Sequence, residues 1–163
     1  MNIFNANVIG ELFGKAEESP RKRAHMAIHE SFDEPVQRVL VALKKGTYVP
    51  PHFHSGSVPW ELMCVIEGQV KVIIFNENHS VKSVHTLGEG QDAKLVQFGE
   101  SEIHTLVSFS EFSNILEIKP GPYDPTSASN IVEGFPQESD NSSATIVRWL
   151  EMALPGDQFE NFE

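Results

Sequence analysis

Cysteine is almost missing from this chain of 163 residues: Cys64 stands alone. An internal disulfide is therefore impossible, a cysteine-built zinc cluster is excluded, and a reducing compartment is the natural setting. Basic residues are also scarce. Lys and Arg total 12 against 23 Asp and Glu, giving a formal net charge of −11. A surface this acidic repels phosphate backbones, which sets aside nucleic acid and anionic membranes as main partners. The one basic run, Arg21-Lys22-Arg23, is too short to reverse that balance. No uninterrupted apolar stretch approaches the roughly 20 residues needed to cross a bilayer. Residues 1–25 lack a basic start followed by an apolar run, so the expectation is a soluble, cytoplasmic protein. Nothing repeats at a fixed period, which argues against a solenoid.

The remaining composition is that of an ordinary globular domain, 40% hydrophobic and 21% charged. Ile9, Leu12, Phe13 and Ala16 fall at helical spacing within residues 5–18, and Pro20 ends that pattern. From residue 26 the period changes. Short β-type runs at 26–29, 36–43, 60–66, 69–75, 81–85, 93–98, 103–109 and 114–119 are separated by turn residues such as Glu67-Gly68 and Gly88-Glu89-Gly90. About eight strands at this spacing predict an antiparallel sandwich or small barrel. The proline-rich 120–125 breaks the strand pattern, and residues 126–141 read as a polar surface loop. Ser142 is placed to cap a helix that carries Ile146, Val147, Leu150 and Ala153. The expected organisation is an N-terminal helical segment (1–25), a β-barrel (26–125), and a C-terminal loop and helix packed on the barrel (126–163).

The chemical signal lies at Gly46-Thr47-Tyr48-Val49-Pro50-Pro51-His52-Phe53-His54. Side chains alternate along an extended segment, so His52 and His54 point the same way, about 7 Å apart at Cα. Glu61 follows seven residues later and Gly68 closes its strand, while His104 opens a later strand that can reach the same point. Three imidazoles and a carboxylate suit one borderline divalent transition metal, such as zinc, iron, nickel or manganese.

Gly46-x5-His52-x-His54, then Glu61-x6-Gly68, then His104, resembles the two-part signature of the cupin superfamily. Gly99 and Ser101 replace the proline and glycine that precede the last histidine in that signature, and Ser108 replaces its later asparagine. A closer resemblance covers roughly residues 19–156. Ser19-Pro20-Arg21-Lys22-Arg23-Ala24, Glu34-Pro35-Val36-Gln37-Arg38, Trp60-Glu61-Leu62, Gly121-Pro122-Tyr123-Asp124-Pro125 and the Trp149-Leu150 pair look like the WbuC-type cupin metalloproteins. The longer step from His54 to Glu61 is a feature of that family, whereas His25 and Ala27 stand where it carries asparagines. The resemblance implies an all-β cupin fold, a double-stranded β-helix or jelly-roll barrel with short terminal helices. It also implies a link to bacterial surface-polysaccharide (O-antigen) metabolism and a homodimer.

Around the metal, Gln37, Arg38, Tyr48, Met63 and Tyr123 are the candidate ligand-binding residues; alternation turns Met63 inward with Glu61, and the proline-restricted loop carries Tyr123 toward the pocket mouth. Arg38 suits a carboxylate or phosphate. His29 and Glu117 are secondary candidates. His79 and His85 are expected in solvent, and Cys64 is expected to face away from Glu61. Four protein ligands close a tetrahedral site but leave two positions open on a six-coordinate ion. The site therefore admits a metal-dependent enzyme acting on a small carbohydrate-derived substrate, an Fe(II)-dependent dioxygenase, or a non-catalytic binding module for a sugar or metabolite. The sequence leaves open whether the chain is an enzyme.

Overall fold

The computed structural model describes residues 1–124, 129–138 and 143–160. Alternating apolar residues become two antiparallel five-stranded sheets. The strands are β1 (Arg23–Ala27), β2 (Val36–Lys44), β3 (His52–Phe53), β4 (Glu61–Glu67), β5 (Gln69–Phe75), β6 (Val81–Gly88), β7 (Leu95–Phe98), β8 (His104–Ser108), β9 (Phe112–Pro120) and β10 (Asn130–Ile131). One sheet runs β1-β2-β9-β4-β7 and the other β10-β3-β8-β5-β6. Strands distant in sequence thus lie side by side, as a jelly-roll barrel requires.

Every expected strand has a counterpart, with the first starting earlier and the fifth running on to Gly88. Two short strands were not anticipated. β3 pairs His52 with His104 of β8, and β10, within the supposed polar loop, pairs with β3. Both have two residues, too few for a period-2 pattern to register.

Alternation splits each strand between two environments. Val70, Val72 and Ile74 of β5 face the barrel interior with Val41, Met63, Leu106 and Ile115. Ile73 and Phe75 face outward onto a second cluster with Ile146, Val147 and Leu150. Those last three lie on α2 (Ser143–Met152), which covers that sheet. The proposed cap Ser142 lies outside the described residues. On the other sheet α1 (Ala6–Glu18) is capped by the Asn5 side chain, which accepts from the N–H groups of Asn7 and Val8. Its buried Leu12 and Ala16 pack on Leu40 and Ala42. Gly68 turns β4 into β5 with φ 77°, and a Cβ there would sit 2.6 Å from the Phe112 carbonyl oxygen, so only glycine fits.

Candidate metal centre and cavity

The turn geometry around β3 brings the expected donors together. One ligand atom from each of His52, His54, Glu61 and His104 lies within 4.8 Å of the others. His52 comes from β3 and His54 from the residue just beyond it, while Glu61 opens β4 and His104 opens β8. The imidazole centroids are 4.4 Å apart for His52–His104, 5.2 Å for His52–His54 and 5.4 Å for His54–His104. Glu61 Oε2 approaches His54 Nε2 to 2.5 Å.

Ring orientation is set from behind. Nδ1 of His52 lies 3.0 Å from the Pro50 carbonyl oxygen, and Nδ1 of His104 lies 2.8 Å from that of Glu102. A carbonyl can only accept, so each Nδ1 carries the proton and each Nε2 keeps a lone pair for the centre. Phe98 stacks on His104 at 3.7 Å with an interplanar angle of 2°, which removes the ring's remaining freedom. Ser101, where the cupin signature has glycine, takes φ 64° and donates its N–H to the His54 carbonyl oxygen at 2.9 Å. The turn before His104 therefore keeps a glycine-type backbone with a different residue. Three imidazoles, two of them with preset orientation, and one buried carboxylate fit a divalent ion.

The centre lies in a cavity of about 740 Å³ inside the barrel. Of the five ligand-binding candidates, Gln37, Met63 and Tyr123 line it. Arg38 and Tyr48 are not among its lining residues. Arg38 follows Gln37 on β2, so alternation turns it outward, where it pairs with Glu34. The Tyr48 hydroxyl donates to the Pro136 carbonyl oxygen at 2.9 Å, and the ring packs with Ile73 and Val107 beneath α2. Gln37 is as much a brace as a contact: its Nε2 donates to the carbonyl oxygens of Phe32 at 3.1 Å and Glu34 at 2.8 Å. His29 and Glu117 line the cavity, as do His25 and Ala27, the two positions where the sequence departs from the WbuC-type pattern. His85 is exposed and Cys64 sits opposite the inward face of β4, as expected, while His79 is half-buried beside Phe135.

The sequence profile of a domain family of unknown function, DUF6016, matches residues 4–87. The chain belongs to that family. No curated protein matches it in sequence. Among solved structures, this DUF6016 chain is similar to a variant of oxalate decarboxylase from Bacillus subtilis, with 22% identity and a TM-score of 0.51 over 66% of this chain and 27% of that one. It is similar to oxalate decarboxylase from Lactobacillus farciminis in a formate complex, with 16% identity and a TM-score of 0.50 over 68% of this chain and 31% of that one. KdgF from Halomonas sp. gives 16% identity and a TM-score of 0.50 over 67% and 86% of the two chains. The DUF6016 chain thus spans less than a third of either oxalate decarboxylase. These likenesses are of fold, and the fold is the cupin double-stranded β-helix. Among the described residues no helix is long and apolar enough to cross a membrane.

Electrostatics in the DUF6016 cavity couple the four donors to Glu117, a secondary candidate from the sequence, and to Lys119, which the sequence did not mark. Burial pushes the pKa of His52 down to about 4 and that of His104 down to about 3, so both imidazoles are neutral at pH 7 and ready to coordinate. Burial alone would raise Glu61, but Lys119 and the nearby histidines outweigh it and hold the carboxyl well below the usual range. Glu117 goes the other way. Burial and then the Glu61 charge raise it to about 7. Lys119 Nζ stands 3.6 Å from Glu61 Oε2 and 3.7 Å from Glu117 Oε2. Against burial, those two carboxylates raise its pKa. Lys119 escaped the sequence reading because it reads as the polar end of a strand. Its signal was parity: Ile115, Glu117 and Lys119 share a face of β9, and Ile115 is core.

Proposed function

We propose that this chain is a metal-dependent cupin of the WbuC type, whose ion, held by His52, His54, Glu61 and His104, faces a cavity that takes a small carbohydrate-derived ligand. The observation that carries the reading is the convergence of three imidazoles and a carboxylate in the wall of a roomy cavity. A purely structural ion needs no such space beside it. Bound there, a divalent metal would act as a Lewis acid toward an oxygen of the ligand. The chain's own part is to hold the donors neutral or anionic as needed, to surround the site with apolar walls, and to keep Glu117 and Lys119 within reach of it. Surface-polysaccharide metabolism is the setting we propose from the WbuC resemblance, with a cytoplasmic homodimer as the working state.

Elemental analysis of purified protein, followed by calorimetric titration of the metal-loaded form with neutral and charged monosaccharides, tests this reading. The expected result is close to one transition-metal ion per chain and saturable binding that chelation abolishes. Substoichiometric metal together with no sugar binding would overturn it. Oxygen consumption by the Fe(II)-loaded protein would move the assignment to a dioxygenase.

A further inference from the structure

With the metal set aside, the Arg, Lys and Glu side chains of the cavity divide evenly by type. Arg21, Arg23 and Lys119 line it on the positive side, and Glu61, Glu117 and Glu138 on the negative. A divalent ion on the four donors adds two positive charges to a space otherwise walled by residues such as Val39, Val41 and Ile115. Excess charge in apolar surroundings is costly, and an anionic ligand relieves it. This positive excess sits inside a chain whose net charge is −11, so it is a local property of the cavity.

Two of the three cations are already committed. Arg23 donates to the Tyr48 carbonyl oxygen at 2.8 Å and pairs with Glu138, and Arg21 donates to Glu138 at 2.9 Å. Lys119 is different. At 3.6 and 3.7 Å from its carboxylates it forms no charge-assisted hydrogen bond of normal length, roughly 2.7–2.9 Å. Those longer pairings leave it less tightly held than either arginine, and it lines the cavity.

Next to it the rim is aromatic. Lys119 pairs across the sheet with Gln37, and Gln37 holds the Phe32 carbonyl. Phe32 is 59% exposed and Tyr123 41%, yet both border the cavity, their rings 5.3 Å apart. The Tyr123 N–H donates to the Phe32 carbonyl oxygen at 2.7 Å, so the two loops are tied together. Large aromatic rings left in water at a cavity mouth, on a braced backbone, form a surface for a ring to lie on.

We infer that the ligand of this cavity is an anionic sugar, its ring lying against Phe32 and Tyr123 and its carboxylate or phosphate drawn to Lys119. This rests on the metal and carbohydrate reading above and specifies the charge of the ligand. Lys119 acts as a binding residue, and the rim pair sets orientation.

The test is calorimetric titration of the metal-loaded full chain with D-glucuronate, a glucose monophosphate, D-glucose, acetate and inorganic phosphate. At least one anionic sugar is expected to bind about tenfold or more tightly than glucose, as a hydrogen bond to a charged group allows. The carboxylate and phosphate arms then show which anion the site takes. Lys119→Gln, compared at equal metal content, should lose most of that preference, and Lys119→Arg should restore it. Phe32→Ala and Tyr123→Ala should weaken the sugars but not acetate or phosphate. Glucose binding as tightly as its anionic counterparts, or a preference that survives Lys119→Gln, overturns the inference while leaving the carbohydrate reading intact. Acetate or phosphate binding through Lys119 with no sugar bound overturns the carbohydrate reading and the rim's role, and leaves the charge assignment standing. Silence from all five probes in protein of full metal content overturns the inference outright.

Discussion

His52 and His104 stand opposite each other across β3 and β8, and each is oriented by the backbone carbonyl two residues before it, Pro50 for one and Glu102 for the other. Two strands far apart in the chain thus use the same local device to aim a lone pair at one point. The pairing makes the centre a fastener between the ends of these strands as well as a chemical site.

Replacing His104 by Gln should therefore separate metal binding from folding. The amide cannot replace the imidazole nitrogen, but it fills similar space beside Phe98. Because the loss of even an outer-shell partner weakens metal sites by about 10–100-fold, losing a ligand should cost more than a hundredfold in affinity. Titration with a competing chelator measures this, and thermal unfolding with and without chelator checks the fold. Wild-type protein should melt lower after chelation, and His104→Gln protein should melt at one temperature in both. Unchanged metal affinity in the variant would remove His104 from the ligand set.

Acid should destabilise the metal-free protein well above the range where carboxylates titrate. Burial holds His52 down to about 4 and His104 down to about 3. Their unfolded values are near 6.5. Folded pKa values below the unfolded ones mean that the unfolded chain takes up protons first. The contribution of these two rings is therefore full above about pH 6.5 and is lost as pH drops toward 4, by up to about 1.4 kcal/mol per pH unit for each proton gained, against an opposite trend from Glu117 in the same range. Urea unfolding of chelated protein at several pH values reads this slope. In Glu117→Gln protein, where the opposing carboxyl titration is gone, a flat profile between pH 7 and 5 would show that the two rings are not buried as described, and adding His52→Gln should make the profile shallower.

What the sequence made legible, and what it hid, follows from what periodicity encodes. Alternation reports which residues share a face, so Met63 fell inward with Glu61, and the spacing of His52, His54 and Glu61 was enough to group them. Alternation does not report what covers a face. In Gln69-Val70-Lys71-Val72-Ile73 the lysine reads as a solvent-facing position, yet α2 lies over that face and Lys71 is 6% exposed. Arg38 is the reverse case: a cation next to an inward glutamine read as a site residue, and one step along the strand turned it outward. Glu117 carried the right parity and stood as a secondary candidate, while Lys119 shared that parity with no motif to mark it. Phe32 sits in a loop, where no period exists to read.

Lys71 has a structural role that a substitution can expose. Its ammonium donates to the carbonyl oxygens of Leu150 at 3.0 Å, Glu151 at 3.0 Å and Ala153 at 2.7 Å, closing the C-terminal end of α2, where free carbonyls and the helix dipole favour a cation. Lys71→Met keeps the stem and removes all three bonds, leaving buried carbonyls unpaired. The expected loss is about 2–4 kcal/mol in urea unfolding, with metal content unchanged because α2 packs outside the barrel. A loss below about 0.5 kcal/mol, the range of ordinary surface changes, would mean that water satisfies these carbonyls and the lysine is dispensable.

Glu117 provides the opposite test, a group whose charge costs stability. Burial and the Glu61 charge raise its folded pKa to about 7, from an ordinary value of 4.5. Below about pH 4.5 the folded and unfolded chains both hold this proton, so it makes no difference to stability. As pH rises toward 7 the unfolded chain releases the proton while the folded chain keeps it, and the folded state is penalised up to a limit reached above pH 7. Glu117→Gln keeps the shape and removes the titration. Metal-free Glu117→Gln protein should accordingly gain on the order of 2 kcal/mol over wild type at pH 8, and nothing at pH 4. Urea unfolding at the two pH values measures the difference. Equal gains at both would assign the effect to packing, and a loss at pH 8 would mean that the ionised Glu117 supports Lys119 more than it opposes Glu61.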